Sequence, residues 1–410
     1  MKKTILGNGV TAGGLLPEGG WQVVDPSISE GKEDRWGNRF VPPEEWRPEK
    51  GELVVVSPGF SPSHPLVKKG EEGGVQFFSD LDYCSFPNFS IWITGTNGKT
   101  TTTEMVYHLL KNGEWEPGHR AEIGGNIGIP VGSLDPTAPI WVLEVSSFQL
   151  YWTSSATPSL LVVLPITQDH LEWHPSFDHY RRAKLSPLSR MGERSVAILP
   201  ESERELALSL APRKGGPFLL FYSTPSQLVE RFRLPSPTFP PPFDLDETLA
   251  RLVYKMVSFR QGSLERFKID PHKVERFPDR WGRLWVDDSK ATNVDATLKG
   301  LAQFADRKIY LILGGQGKGQ DFTPLFQTLS QRKVELILIG ESAPQLAQLA
   351  ERFHLPYFLA YTLEKGVDYI HRRLKEGEVA LLSPACASKD QFKSYKERGE
   401  RFKELVTRLK

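Results

Sequence analysis

Short apolar runs separated by glycine-containing turns and helical patterns recur along the chain. The runs are Thr4–Leu6, Trp21–Val24, Leu53–Val56, Ile91–Thr94, Trp141–Val145, Leu160–Leu164, Val196–Leu199, Lys308–Leu313, Leu336–Ile339 and Val379–Leu382. Several are rich in valine and isoleucine and lack polar alternation, as strands covered on both faces do. Thr102–Leu110 between two of them reads as a helix. The repeated order of strand, glycine turn and helix predicts an α/β fold built on parallel sheets.

Three compositional breaks divide the pattern. One lies at Ser85-Phe86-Pro87-Asn88, just before a strong strand. A proline-rich stretch, Leu234 to Pro242, is too stiff for a helix or a central strand and reads as a connection inside the middle domain or at its end. The third break lies near Phe277-Pro278-Asp279. The domains expected are therefore 1–88, 89–277 and 278–410. A chain of 410 residues agrees with several cores rather than one.

Composition narrows the class. Lys+Arg (51) nearly balances Asp+Glu (50), so no basic field argues for nucleic acid. Cys84 and Cys386 sit far apart in no CxxC pattern, which argues against a zinc site or a disulfide scaffold. No apolar stretch reaches the roughly 18 residues of a membrane span. The opening Met1–Leu6 run breaks at Gly7-Asn8-Gly9, too early for a signal peptide. A soluble, cytoplasmic enzyme is expected.

The strongest local signal is Ile91-Trp92-Ile93-Thr94-Gly95-Thr96-Asn97-Gly98-Lys99-Thr100-Thr101. A buried strand runs into a glycine loop and then a helix. Glycines let main-chain N–H groups face an anion, Lys99 reaches terminal phosphates, and the Thr100 hydroxyl suits Mg²⁺. The spacing departs from the general phosphate loop, because Ile93 stands where the first glycine is usual. Gly7 to Gly14 is a second glycine-rich turn after a strand, where Gly9, Val10 and Thr11 could approach a phosphate; a plain turn is the alternative.

Further blocks follow in order: Gly124-Gly125-Asn126-Ile127-Gly128, Glu144-Val145-Ser146-Ser147-Phe148-Gln149, Asp169-His170 with Tyr180-Arg181-Arg182-Ala183-Lys184, Asp287-Asp288-Ser289-Lys290-Ala291-Thr292-Asn293, Gly314 to Gly319, and Ser383-Pro384-Ala385-Cys386-Ala387-Ser388. Together with the phosphate loop these resemble the Mur ligase family, across almost the whole chain. The last three resemble its D-glutamate-adding member in particular. The resemblance implies three domains: a small Rossmann-like N-terminal domain for the UDP-substrate, a central P-loop ATPase-like parallel sheet, and a C-terminal Rossmann-like domain for the amino acid. It also implies ATP-dependent amide-bond formation in peptidoglycan precursor synthesis, and with it a role in cell shape and division.

The chemistry explains the residue types. A carboxylate resists attack by an amine until ATP converts it to an acyl phosphate, and that transfer crowds anions together, so cations are needed. The resemblance implies ATP contacts from Gly95, Thr96, Asn97, Gly98, Lys99, Thr100, Thr101, Lys273, Asp288 and Lys290. It implies magnesium, as two ions, at Thr100, Glu144, His170 and Lys184, with Lys184 carbamylated by CO₂. Lys99, Glu144, His170 and Lys184 would form the catalytic set. UDP-N-acetylmuramoyl-L-alanine would meet Gly9, Val10, Thr11, Asn126, Ser146 and Gln149; D-glutamate would meet Thr292, Lys318, Ser388 and Tyr395. Taken singly, His170 could be a structural histidine, Lys184 a solvated lysine, and Ser146 a helix cap.

Some positions depart from the family. Its usual His-Asn-x-x-Asn stretch is replaced by Phe243-Asp244-Leu245-Asp246-Glu247-Thr248-Leu249-Ala250-Arg251, and its His-Arg segment by His272-Lys273. A lysine lacks the bidentate fork of arginine. Lys389 and Tyr395 stand where apolar residues are common. Other ligases of the family, folylpolyglutamate synthase and a non-catalytic nucleotide switch are the competing functions. A monomer that closes its domains around the substrates is expected.

Overall fold

The computed structural model describes residues 2–113 and 120–409. It holds three six-stranded sheets. In the first, β1 (Lys3–Leu6) is central and pairs in parallel with Gln22–Val24 and Leu53–Val56. Arg39–Val41 and Gln76–Phe78 extend the sheet in parallel, and Lys32–Glu33 adds an antiparallel edge.

The second sheet is wholly parallel. Its centre is β2 (Phe89–Thr94), flanked by β3 (Ile140–Glu144) and by Leu160–Val163. Ala121–Gly125 closes one edge; Val196–Pro200 and Phe218–Tyr222 extend the other. The chain order reverses at β2, so a crevice opens past its carboxyl end, where open α/β sheets hold ligands. The elements around that end are α1 (Lys99–Asn112), α2 (Ser147–Trp152), α3 (Phe177–Leu185) and α4 (Phe243–Ser258). Pro242 caps α4, so the proline-rich stretch is a connection leading into a helix that packs on α1.

In the third sheet β4 (Leu284–Asp287), β5 (Ile309–Gly314) and β6 (Val379–Leu382) lie in the order β4-β6-β5, all parallel. Val334–Ile339 and Tyr357–Tyr361 follow in parallel beyond β5. The other edge, Glu275–Pro278, is an antiparallel hairpin partner of β4, so the sheet begins before residue 278. Alternation sends Leu311, Leu313 and Leu381 into one core and Tyr310, Ile312 and Leu382 into another. Both faces are therefore covered, as the unbroken apolar runs require. Helices α5 (Val294–Ala302) and α6 (Tyr395–Thr407) complete the elements used below.

All the apolar runs named above are strands. The chain forms two compact units: Met1–Ile166 with Trp173–Phe267, and Thr167–Glu172 with Lys268–Lys410. The first holds two sheets and the second holds one. Among the described residues no helix is long and apolar enough to cross a membrane.

Candidate active site

In the first unit the loop between β2 and α1 is shaped by two glycines with φ of 144° (Gly95) and 86° (Gly98). A Cβ at Gly95 would strike Leu164, and one at Gly98 would strike the Asp246 carboxylate, so both positions demand glycine. Asn97 sits at the loop tip, half-buried, and Thr96 and Thr101 are buried on either side. Lys99 opens α1 and folds back to donate from Nζ to the Thr96 carbonyl at 2.8 Å. Its ammonium thus lies over the loop, where the helix N-terminus already favours an anion.

Glu144 is the last residue of β3 and is 3% exposed. Its Oε2 accepts from the Thr100 hydroxyl at 2.7 Å, and its Oε1 accepts from the Asn126 amide at 2.8 Å. Lys184 on α3 is buried; Nζ donates to the Gly95 carbonyl at 2.7 Å and lies 4.6 Å from the Tyr180 ring centre. Lys99, Thr100, Glu144, Asn126 and Lys184 therefore converge on one loop. Thr102 on α1 donates to Asp246 of α4, a contact that no motif signals.

Asn126 also lines a cleft of about 360 Å³ with Gly9, Val10, Thr11 and Gln149. Five of the six positions expected to meet the UDP-substrate thus share one cavity. The sixth, Ser146, caps α2 by accepting from the Gln149 N–H at 3.1 Å. The Gln149 amide donates to Asp80 at 2.7 Å, while its Oε1 is buried without a partner. Burial pushes the Asp80 carboxyl above the usual range, opposed by the Gln149 bond.

The second unit gathers the remaining positions. His170 has φ of 55°, a conformation unusual for a non-glycine residue, and contacts Glu172 at 3.3 Å through Nδ1. Burial would raise the Asp169 carboxyl, but His170 and Lys318 together with the Asn293 amide hold it below the usual range. Asn293 caps α5 and donates to Asp169 at 2.9 Å. Next to it Thr292 is half-buried, and the Val294 N–H donates to Gln320 in the glycine loop that carries Lys318. Lys318 has φ of 52°. That loop is stitched to the Ser383–Ser388 segment by the Gln316–Ala387 bridge, which brings buried Ser388 beside it. Gln320 was not singled out in the sequence, and Asn293 stood only as the end of the Asp287–Asn293 block, with no role given; an asparagine directly before a helical pattern was the available signal.

Tyr395 contacts other partners. Its ring lies 4.2 Å from the Lys290 ammonium and its carbonyl accepts from Ser289, on the Asp288 side. Lys273 lies between His272 and Val274, both with positive φ, and pairs with Asp270 at 3.2 Å. His272, Glu275 and Asp287 are close enough to hold a cation. They form a closed network instead, since His272 binds Asp287 at 2.6 Å and Glu275 pairs with Lys403 at 3.0 Å.

Asp288 is buried, accepting from Ser383 at 2.7 Å and from the Val274 N–H. Burial pushes its carboxyl up to about 8. A raised folded value means protons bind the folded state more tightly. The stability this contributes is present below the ordinary carboxyl value of 3.8 and is lost as pH rises through about 8. Asp288→Asn mimics the neutral acid. Its urea midpoint relative to the native chain is expected to rise between pH 5.5 and 8.5; a constant difference would show that Asp288 is ionised throughout.

Three mostly parallel sheets, one with a Gly-Lys-Thr loop at its switch point, define an α/β protein of the phosphate-loop type. Residues 93–229 match the family described as Mur ligase middle domain, and residues 274–386 match Mur ligase, glutamate ligase domain. The chain is 38% identical to UDP-N-acetylmuramoylalanine--D-glutamate ligase of Campylobacter jejuni, over 100% of both chains. It is 41% identical to the protein of that name in Helicobacter pylori, over 99% of both. The fold resembles a MurF ligase of Thermotoga maritima in complex with ADP (TM-score 0.56, 16% identity, 90% of this chain and 96% of that one). It also resembles the UDP-N-acetylmuramate-alanine ligase MurC of the same organism (TM-score 0.53, 19% identity, 98% of each). The chain belongs to the Mur ligase family.

Proposed function

We propose that this protein uses ATP to join D-glutamate to UDP-N-acetylmuramoyl-L-alanine through an acyl phosphate, acting as a cytoplasmic monomer in peptidoglycan precursor synthesis. The observation that carries the reading is the chain Thr100–Glu144–Asn126, which links the phosphate loop to the cleft of Gly9, Val10, Thr11 and Gln149. One end suits a triphosphate and the other a sugar nucleotide. Full-length similarity to ligases of that name supports the choice of acceptor.

The residues divide the work by charge. Lys99 offsets charge on the phosphate being transferred, and the loop N–H groups hold the rest of the nucleotide tail. The Thr100 hydroxyl and Glu144 carboxylate are hard oxygen donors 2.7 Å apart, a set that fits Mg²⁺. When bound, that ion would neutralise phosphate charge. His170 is the expected site of a second ion, and Lys184 would turn from cation to anion if carbamylated. In this reading Lys318 anchors one carboxylate of D-glutamate together with Thr292, and Ser388 holds the other. The amine is then left to attack the acyl phosphate. Asp288, Lys290 and Lys273 serve the nucleotide side of the second unit.

Phosphate release by the purified protein should require both UDP-N-acetylmuramoyl-L-alanine and D-glutamate. Equal release with L-alanine, L-lysine or a folate acceptor would reject this specificity. Turnover should also fall in bicarbonate-free buffer and recover on adding bicarbonate if Lys184 is carbamylated.

A further inference from the structure

His174 has no part in the scheme above, yet it is wholly buried in the first unit. Its Nε2 lies 3.0 Å from the Ser147 hydroxyl, and its Nδ1 lies 2.9 Å from Nδ1 of His179 on α3. Phe148, Trp173 and Tyr180 enclose the ring, with centroids 5.6, 4.4 and 5.2 Å away. Ser147 begins α2, three residues after Glu144 and next to the cap Ser146.

A bond between two Nδ1 atoms holds one proton, so one ring donates and the other accepts. With both rings neutral two arrangements exist. In the first, Ser147 donates to His174 Nε2, and His174 donates from Nδ1 to His179. In the second every bond is reversed: His179 donates to His174, and His174 Nε2–H donates to Ser147. A protonated His179 carries hydrogen on both nitrogens, so only the second arrangement survives. The charge belongs on His179, because His174 is wholly buried, where a cation is costly, and His179 is only half-buried.

We infer that His174 is a positioning residue for the Glu144-Val145-Ser146-Ser147 turn, and that protonation of His179 reverses, through it, the hydrogen bond of the Ser147 hydroxyl. Ser147 is 2% exposed, so its displaced proton must find a new acceptor in the interior. The turn that carries Glu144 and Ser146 has to adjust. The groups facing the relay are Asp178 on the same helix as His179, Tyr180, and Tyr151 of α2, with Lys68 and Glu71 near that tyrosine. Burial holds His179 below the ordinary histidine value and Asp178 opposes this, so the reversal falls on the acid side of neutrality.

This inference rests on the proposed roles of Glu144 and Ser146, and its test has a readout that does not. Histidine ¹⁵N spectra of the full chain should show His174 moving to the Nε2–H form as His179 becomes an imidazolium between pH 8 and 5.5. In parallel, kcat/KM for UDP-N-acetylmuramoyl-L-alanine should fall below neutrality by up to about tenfold per pH unit. His174→Asn removes a buried ring, so the kinetic test is carried by His179→Asn. That variant should keep its turnover at pH 8 and lose the acid limb. A His174 tautomer that does not change with pH, or an acid limb unaltered in His179→Asn, overturns the proposal. A native chain that does not ligate would overturn the proposed function instead, and the spectra would still decide the relay.

Discussion

Lys99→Ala is expected to lower ligation by about a thousandfold or more while the protein stays folded. Lys99 is the first residue of α1, and its Nζ is held over the loop by the Thr96 carbonyl. The loop's backbone shape comes from Gly95 and Gly98 and from their contacts with Leu164 and Asp246, none of which involves the Lys99 side chain. Removing the ammonium therefore takes away charge without removing the scaffold. The loss should appear in kcat, because the charge it offsets is greatest while the phosphate is in transit. The check is single-turnover formation of the product from ATP and both substrates, with the melting temperature recorded beside it. Turnover within tenfold of the native chain would remove Lys99 from the site.

The largest effect on stability is expected from Glu247→Ala. Glu247 on α4 is completely buried and pairs with Arg251 at 2.8 Å, itself 8% exposed on the side chain. The same carboxylate accepts from the Thr238 N–H at 2.7 Å and the Phe239 N–H at 2.9 Å. It therefore ties the proline-rich connection to α4, and α4 in turn presents Asp246 to the phosphate loop. Removing it strands a buried guanidinium and frees two backbone donors. Breaking one side of such a pair costs about 3–5 kcal/mol. Chemical denaturation should show a loss in that range. Replacing both partners together should cost less, because no charge is then left unpaired; a double-variant loss equal to the sum of the two single losses would mean that the pair adds nothing.

Local chemistry made much of the fold legible. The runs around Ile91–Thr94, Lys308–Leu313 and Val379–Leu382 are continuous apolar stretches because both faces of their strands are covered. Strands at or near sheet edges, such as Gln76–Phe78, Ala121–Gly125 and Tyr357–Tyr361, were not singled out. They are short or partly exposed, so their composition is mixed. The antiparallel strand Glu275–Pro278 alternates exposed and half-buried positions and ends in proline, which resembles a loop. Phe243–Arg251 looked only like a missing motif, but it is the start of α4, and its Asp246 meets Thr102 from 144 residues away. A spacing that long carries no local signal.

The order of strands and helices, the glycines at 95 and 98, and the Lys99-Thr100 pair belong to the sequence itself. Each follows from backbone sterics and side-chain type within a few residues. The family followed from ordered blocks for the same reason. The partners of Glu144, the burial of Lys184 against Gly95, the anchoring of Asp169 by Asn293 and the His174–His179 contact were decided only by the folded chain. These depend on which strands become neighbours, and pairing across a parallel sheet joins segments that are distant in sequence. Burial and charge balance at those atoms exist only once that pairing is made.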